Sequence, residues 1–235
     1  MSNITFKKGN IFSSDKQTIV NTINCVGVMG KGVALGFRLR YPKMYEKYKE
    51  YCDSKQIAIG KLWLYKQPQE GTQWVLNFPT KFHWKYPSKM EYIEAGLQKF
   101  VDTYEEKGVT SIAFPLLGTH NGGLDKIEVL DMMLSYLKKC SIPIDIYEYD
   151  PNAPDELYNL FKTKWISMSM NDKKRIGIRP SQIAIIDSAI KDTNIYSMAS
   201  LSECNGIGIL TLQRCFNLVV NNEVQQPMSR KLDLI

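Results

Sequence analysis

The sequence predicts an α/β layered domain with a largely parallel sheet, followed by a small, mainly helical region. Three observations predict it. Short β-branched and aromatic runs alternate with helical runs from Ile4 to Tyr149, the order that lays helices against a parallel sheet. Two glycine-rich loops each follow a strand run and precede a helical one. Past Asp150-Pro151-Asn152-Ala153-Pro154 the strand runs stop, and a polar, methionine-bearing stretch leads to two further helical segments. These features place a first domain over 1–162, a linker over 163–178 and a helical C-terminal region over 179–235.

The elements follow in order. Ile4-Thr5-Phe6-Lys7-Lys8 alternates like a half-buried strand and ends at Gly9-Asn10. Thr18 to Ile23 is a second β-rich run, followed by a glycine-rich stretch from Gly27 to Gly32. Val33 to Leu39 reads as a helix that stops near Tyr41-Pro42, because the residue before a proline is pushed out of helical conformation. Lys43 to Cys52 reads as another helix. Lys61 to Tyr65 and Gln73 to Phe78 are strands around a turn at Gly71. Ser88 to Glu105 is helical, with Ser88 as cap and Tyr92, Ala95, Leu97, Phe100, Val101 and Tyr104 on one face. Ser111 to Leu116 is a short buried strand, Asp125 to Lys139 a helix with Asp125 as its cap, and Ile142 to Tyr149 the last strand. Residues 154–162 form one more helix of the first domain, and Pro180 to Asp192 and Ile209 to Val220 are the helices of the tail. No internal repeat is evident in the sequence.

Composition bounds the rest. With 235 residues, 44% hydrophobic and 23% charged, the chain can bury a core, which excludes disorder throughout. No window approaches the roughly 18 apolar residues of a membrane span, and Met1-Ser2-Asn3-Ile4 lacks the apolar core of a signal peptide. Cys25, Cys52, Cys140, Cys204 and Cys215 are odd in number and widely spaced, which suits free thiols in a reducing cytoplasm. With two histidines, His83 and His120, no multi-histidine metal site is expected. The net charge of +6 is spread evenly: 20 Lys/Arg against 17 Asp/Glu in residues 1–155, and 10 against 7 in 156–235. A solvated surface accounts for that excess, with a weak bias toward acidic ligands such as nucleic acid.

The loops carry the chemistry. The first runs Asn21-Thr22-Ile23-Asn24-Cys25-Val26-Gly27-Val28-Met29-Gly30-Lys31-Gly32, the second Leu117-Gly118-Thr119-His120-Asn121-Gly122-Gly123-Leu124-Asp125. Glycines at the mouth of a helix let backbone N–H groups approach an anion, and the helix N-terminus adds partial positive charge. Two such loops at the carboxyl edge of one sheet can clamp a diphosphate from both sides; taken singly, either is equally an ordinary tight turn. Lys31 is followed by Gly32, so the P-loop pattern is absent, as is G-x-G-x-x-G. Kinases, P-loop ATPases and ordinary dehydrogenases are therefore disfavoured.

Four segments, Gly9-Asn10-Ile11, Ile19 to Phe37, Asn77-Phe78-Pro79-Thr80-Lys81-Phe82-His83-Trp84 and Pro115 to Asp125, together resemble a macrodomain over roughly residues 1–160. Within that superfamily the likeness is to the DarG type, an antitoxin that removes ADP-ribose from DNA. The resemblance implies a three-layer α/β/α sandwich with a mixed sheet and ADP-ribose as ligand. It also implies ADP-ribosylated DNA, with thymidine as the base, as substrate, a DarT-like toxin as partner, and water rather than any cofactor as co-reactant. Asn10 stands where many macrodomains carry an adenine-binding aspartate, with Ile11 beside it. Asn24 matches the asparagine that contacts the distal ribose. Gly30, Lys31, Gly32 and Val33 would face that ribose and the phosphate. Gly118, Thr119, His120, Asn121, Gly122, Gly123 and Leu124 would wrap the diphosphate from the other side. Lys81, next to Thr80, matches the catalytic lysine of the DarG type. Two roles are open to it: a neutral amine attacking the anomeric carbon or an opened aldehyde, or an ammonium that protonates or stabilises the leaving base. A nearby diphosphate favours the ammonium. Trp84 either anchors its loop or stacks on a nucleobase. His120 either donates to phosphate or is an exposed loop residue.

Other readings use the same fold: a hydrolase acting on ADP-ribosylated protein or on O-acetyl-ADP-ribose, or a non-catalytic ADP-ribose reader or toxin-sequestering protein. In the tail, Leu201 to Leu212 resembles a helix-hairpin-helix, whose glycine hairpin offers N–H groups to DNA phosphate; packing against a partner protein is the alternative.

Overall fold

The computed structural model describes residues 3–67, 72–150 and 152–220. The turn expected at Gly71 lies outside them. Among the described residues the chain divides into two compact units, the first ending at Tyr149 and the second beginning at Asp150.

The first unit is built on a six-stranded sheet. Its strands are β1 (Ile4–Gly9), β2 (Thr18–Asn24), β3 (Trp63–Tyr65), β4 (Trp74–Lys81), β5 (Ile112–Pro115) and β6 (Ile144–Tyr149). Their spatial order is β1-β6-β5-β2-β4-β3. All neighbours run parallel except the short edge strand β3, which is antiparallel to β4. The sheet is therefore mixed. Successive side chains in the strands serve opposite faces, and both faces are apolar. Val20, Leu64, Leu76, Phe114 and Ile146 pack on one side with Ile93, Leu97 and Phe100 of α3 (Met90–Thr103) and Val129, Met133 and Leu137 of α4 (Lys126–Leu137). Their neighbours Ile19, Trp63, Tyr65, Val75, Ala113 and Tyr147 pack on the other with Phe37 of α1 (Gly32–Arg40) and Met44, Tyr48 and Cys52 of α2 (Pro42–Asp53). Strands buried on both faces and covered by helices make the expected α/β/α sandwich.

Two local expectations change. Asp125 caps α4 as anticipated, accepting from the N–H groups of Ile127 and Glu128. Ser88 does not cap α3: the helix starts after Lys89 without a side-chain cap, and the Ser88 N–H donates instead to the carbonyl of Gly122 at 2.9 Å.

The second unit contains α5 (Glu156–Ser167), α6 (Met170–Arg175), α7 (Pro180–Ala189), α8 (Met198–Ser202) and α9 (Ile209–Val220). The expected helix over 154–162 thus falls in this unit rather than the first, and the expected linker over 163–178 is the end of α5, α6 and the turn into α7. The reason lies in α5, where Tyr158, Phe161 and Trp165 are buried. The Trp165 indole N–H donates to Asp187 of α7 at 2.7 Å, and Lys173 of α6 pairs with the same oxygen at 3.0 Å. The polar run that reads as a linker is a capped helix, with Ser169 and Asp172 forming a reciprocal capping box.

This unit also contains a repeat that sequence comparison misses. Gly177-Ile178 and Gly206-Ile207 each lie three residues before a helix, α7 and α9, and the glycines share the left-handed conformation at φ 85° and 90°. Equivalent positions are buried in both copies: Ile178 and Ile207, Gln182 and Thr211, Ile183 and Leu212, Ile186 and Cys215. Gln182 donates to its counterpart Thr211 at 2.6 Å. The close approaches are reciprocal. A Cβ on Gly177 would lie 2.9 Å from Arg214 of the second copy, and one on Gly206 would lie 2.6 Å from Ile185, the matching residue of the first. Such reciprocity is what a local two-fold produces. The copies share almost nothing but Gly-Ile in sequence, so packing alone reveals them.

Candidate functional site

The carboxyl ends of the parallel strands form one rim. β2 and β5 pair only at Thr18↔Ile112 and Ile19↔Ala113, although β2 continues to Asn24. The ladder between them therefore ends early, and the two glycine loops leave the sheet on either side of the gap. A crevice beyond strand ends at such a point is where open α/β sheets bind ligands.

The first loop is held by Asn24, buried at 6% exposure. Its amide oxygen accepts from the N–H groups of Val26 at 3.0 Å and Val28 at 3.3 Å, and its amide nitrogen donates to the Val28 carbonyl at 2.5 Å. The buried Tyr48 hydroxyl, 2.7 Å from the Asn24 carbonyl and 3.1 Å from its side-chain oxygen, completes the clasp. The side chain expected to meet the ribose thus shapes its own loop, leaving one amide N–H for a ligand. Asn10 behaves similarly, accepting from the Phe12 N–H at 3.1 Å to cap the 3₁₀ turn Ile11–Ser13; one lone pair of its oxygen remains. Ile11 and Thr80 are buried, so neither presents its side chain at the surface. Gly30, Lys31 and Gly32 are exposed at the rim and Val33 is half-buried behind them.

The second loop presses against the first. Gly32 adopts φ 56°, and a Cβ there would lie 2.6 Å from the amide nitrogen of Asn121, so only glycine fits this approach without displacing Asn121. Gly122 is tighter: its Cβ would lie 2.1 Å from the Gly118 carbonyl oxygen and 2.4 Å from Ser88 Oγ. The Gly118 carbonyl also accepts from the Leu124 N–H at 3.1 Å, and Thr119 Oγ1 donates to the Leu116 carbonyl at 3.1 Å, which closes the turn. His120, Asn121 and Gly123 are exposed. His120 lies 6.2 Å, ring to ring, from Tyr149 at the end of β6. Sequence reasoning missed Ser88 and Tyr48 as parts of this site. Ser88 Oγ is buried without a partner and underlies the second loop. In sequence it is indistinguishable from a helix cap, and Tyr48 from a core residue of α2.

Lys81 ends β4. Ile23 pairs with Pro79 and Asn24 with Lys81, so Thr80 is an extra residue and the strand carries a bulge, a device that re-aims side chains beside functional sites. The Lys81 Nζ donates to the Asn121 carbonyl at 2.5 Å. Burial lowers its pKa from the ordinary lysine value, and among the described residues no carboxylate pairs with it. The bulge, the second loop and, through Asn121, the first loop converge on one cation that pairs with no carboxylate among the described residues. No cluster of three or more His, Cys, Asp or Glu suited to a metal occurs among the described residues, and among them no helix is long and apolar enough to cross a membrane.

Comparison with known proteins agrees with this architecture. The macro domain family model matches residues 20–133. The chain is 41% identical over 151 residues to a DNA ADP-ribosyl glycohydrolase of Mycobacterium tuberculosis, a match covering 64% of this chain and 43% of that protein. Among solved structures, the macrodomain of Mycobacterium tuberculosis DarG is 41% identical with a TM-score of 0.59, covering 61% of this chain and 96% of that one. A structure of Thermosipho africanus DarTG in complex with ADP-ribose is 35% identical with a TM-score of 0.61, covering 68% and 45%. The chain belongs to the macrodomain family. It spans less than half the length of the curated DNA ADP-ribosyl glycohydrolases it matches.

Proposed function

We propose that the chain hydrolyses the N-glycosidic bond between ADP-ribose and a DNA base, with thymidine as the base, and so serves as antitoxin to a DarT-like DNA ADP-ribosyltransferase. The observation that carries this reading is Lys81, a half-buried cation at the rim that donates to a carbonyl on the second glycine loop. The residues assigned to ADP-ribose are Asn10, Ile11, Asn24, Gly30 to Val33, Thr80 and Gly118 to Leu124, the loop amides facing the diphosphate. The bond to break joins the anomeric carbon to a ring nitrogen. Its electron pair leaves with the base, water supplies the new oxygen, and a proton must reach the departing nitrogen. A Lys81 ammonium can donate that proton and recover one from the attacking water, or stabilise the base as it leaves negatively charged. The diphosphate offsets the effect of burial and keeps the amine protonated. No cofactor enters the reaction. The partnership with a toxin rests on the DarTG and glycohydrolase relatives; a cytoplasmic location rests on the cysteines, all five of which are free.

The test sets ADP-ribosylated single-stranded DNA beside ADP-ribosylated protein. Release of ADP-ribose from DNA, lost by on the order of 10²–10³ in Lys81→Ala with ADP-ribose affinity nearly unchanged, supports the proposal. Turnover on protein alone transfers the reading to a protein hydrolase. Binding of ADP-ribose without turnover on either substrate makes the chain a reader.

A further inference from the structure

Directly after Lys81 the chain exposes aromatic rings that the reaction at the anomeric carbon does not need. Phe82 is 61% exposed, Trp84 48% and Tyr86 65%. Large apolar side chains in water at this density mark a contact surface. They are ordered against one another. The rings of His83 and Trp84 stack at 5.6 Å and 25°, and His83 lies 5.5 Å from Tyr86. Phe82, Tyr86, Pro87, Lys89 and Tyr92 line a cleft of about 320 Å³, near the small end of the roughly 300–1,000 Å³ range of ligand sites. Lysines interleave with the rings: Lys85 lies 5.3 Å from the Trp84 ring centre and Lys89 5.7 Å from that of Tyr92. Between Lys81 and Tyr92 the chain carries Lys81, Lys85 and Lys89 against one acidic residue, the exposed Glu91.

We infer that Phe82 to Tyr92 is a binding surface for the single-stranded DNA flanking the modified base, with a neighbouring nucleobase held between Phe82, Tyr86 and Tyr92 and the phosphates facing Lys85 and Lys89. The inference rests on the proposed reaction for its substrate and deepens it. The charge and the rings select the occupant. Lys81, Lys85 and Lys89 outnumber the one acidic residue of the stretch, Glu91, and so complement a polyanion, and aromatic faces accept unpaired bases whatever their sequence. Duplex DNA keeps its bases stacked on one another and offers these rings little. A cleft that size, beginning one residue beyond Lys81, suits the nucleotide next to the one being repaired.

The experiment uses the full chain and compares hydrolysis of ADP-ribosyl-thymidine with hydrolysis of the same group inside a ten-nucleotide single strand. Wild type should favour the oligonucleotide through a lower KM. Trp84→Ala/Tyr86→Ala should raise KM for the oligonucleotide about tenfold or more while leaving the nucleoside parameters alone. Lys85→Gln/Lys89→Gln should flatten the salt dependence of oligonucleotide binding, by about 0.7 in the log–log slope for each charge removed. Equal effects on both substrates, or on neither, overturn the surface. If wild type hydrolyses neither substrate, the reaction is wrong but the surface is still judged, by fluorescence anisotropy with unmodified oligo-dT. Loss of affinity in the variants sustains it, and unchanged affinity overturns it in favour of a protein-facing surface.

Discussion

Gly122→Ala is the sharpest perturbation of the proposed diphosphate cradle, because the residue beside it provides the control. The new Cβ would meet the Gly118 carbonyl oxygen at 2.1 Å and Ser88 Oγ at 2.4 Å. The first cannot simply swing aside, because the Gly118 carbonyl is backbone and accepts from the Leu124 N–H, whereas the unpartnered Ser88 Oγ can turn away about its side-chain torsion. Ordinary contact is about 3.5 Å, so the loop must open by roughly 1 Å or more. Overpacking of this kind costs about 1–3 kcal/mol of stability, or roughly 2–4 °C of melting temperature per kcal/mol for a chain of this size. A misplacement of about 1 Å in a preorganised site can cost 10²-fold in rate, and the displaced loop should also weaken ADP-ribose binding by well over threefold. Gly123 has φ 77° with nothing within 4 Å of its Cβ position. Gly123→Ala therefore meets only the left-handed backbone cost, about 1–2 kcal/mol, and no collision. Calorimetric titration with ADP-ribose beside thermal unfolding of both variants decides the matter. A folded Gly122→Ala protein that binds ADP-ribose within about threefold of wild type would refute the assignment of this loop to the diphosphate.

Three further outcomes are expected. Because burial lowers the Lys81 pKa and the proposed working form is the ammonium, kcat/KM should fall as pH rises through a value below that of an ordinary lysine. The kcat limb should lie at higher pH, since bound diphosphate raises the pKa again; an increase in rate with pH, or an adduct trapped by borohydride, identifies the neutral amine as nucleophile instead. A chain ending at Asp150 should fold and bind ADP-ribose, whereas one ending at Lys164 should be less soluble, because it keeps Tyr158 and Phe161 of α5 without Trp165 or the helices it packs on; circular dichroism and solubility of the two truncations check this. Burial pushes the Cys25 and Cys215 thiols up to about 12 and those of Cys52 and Cys140 to about 11, so a thiol reagent at pH 8 should label little more than half-buried Cys204 in the native chain and all five cysteines in denaturant. Labelling of several in the native state contradicts the packing.

The sequence by itself determined the strand–helix alternation, the two glycine loops and the position of Lys81 at the end of a strand run. Those signals are local: β-branched runs bounded by turn residues, glycines between strand and helix, and a lysine within a recognisable segment. Even the Asp125 cap was legible, because a cap acts over three residues. Tertiary structure decided what depends on partners distant in the chain. Asn24 carries the residue type that binds a ribose, but Tyr48 and the Val28 backbone take up most of its amide. Ser88 reads as a cap until the second loop folds over it. The polar stretch after Ser167 reads as a linker until Lys173 and Trp165 converge on Asp187. The two Gly-Ile turns and the helices that follow them in the second unit share too few letters to be seen as copies, since burial fixes only size and apolarity at each position. The site itself is of this kind. That Gly32, Asn121 and Lys81 meet follows from strand order β5-β2-β4, which brings together residues 40 to 89 positions apart in sequence, and no local pattern encodes a sheet's order.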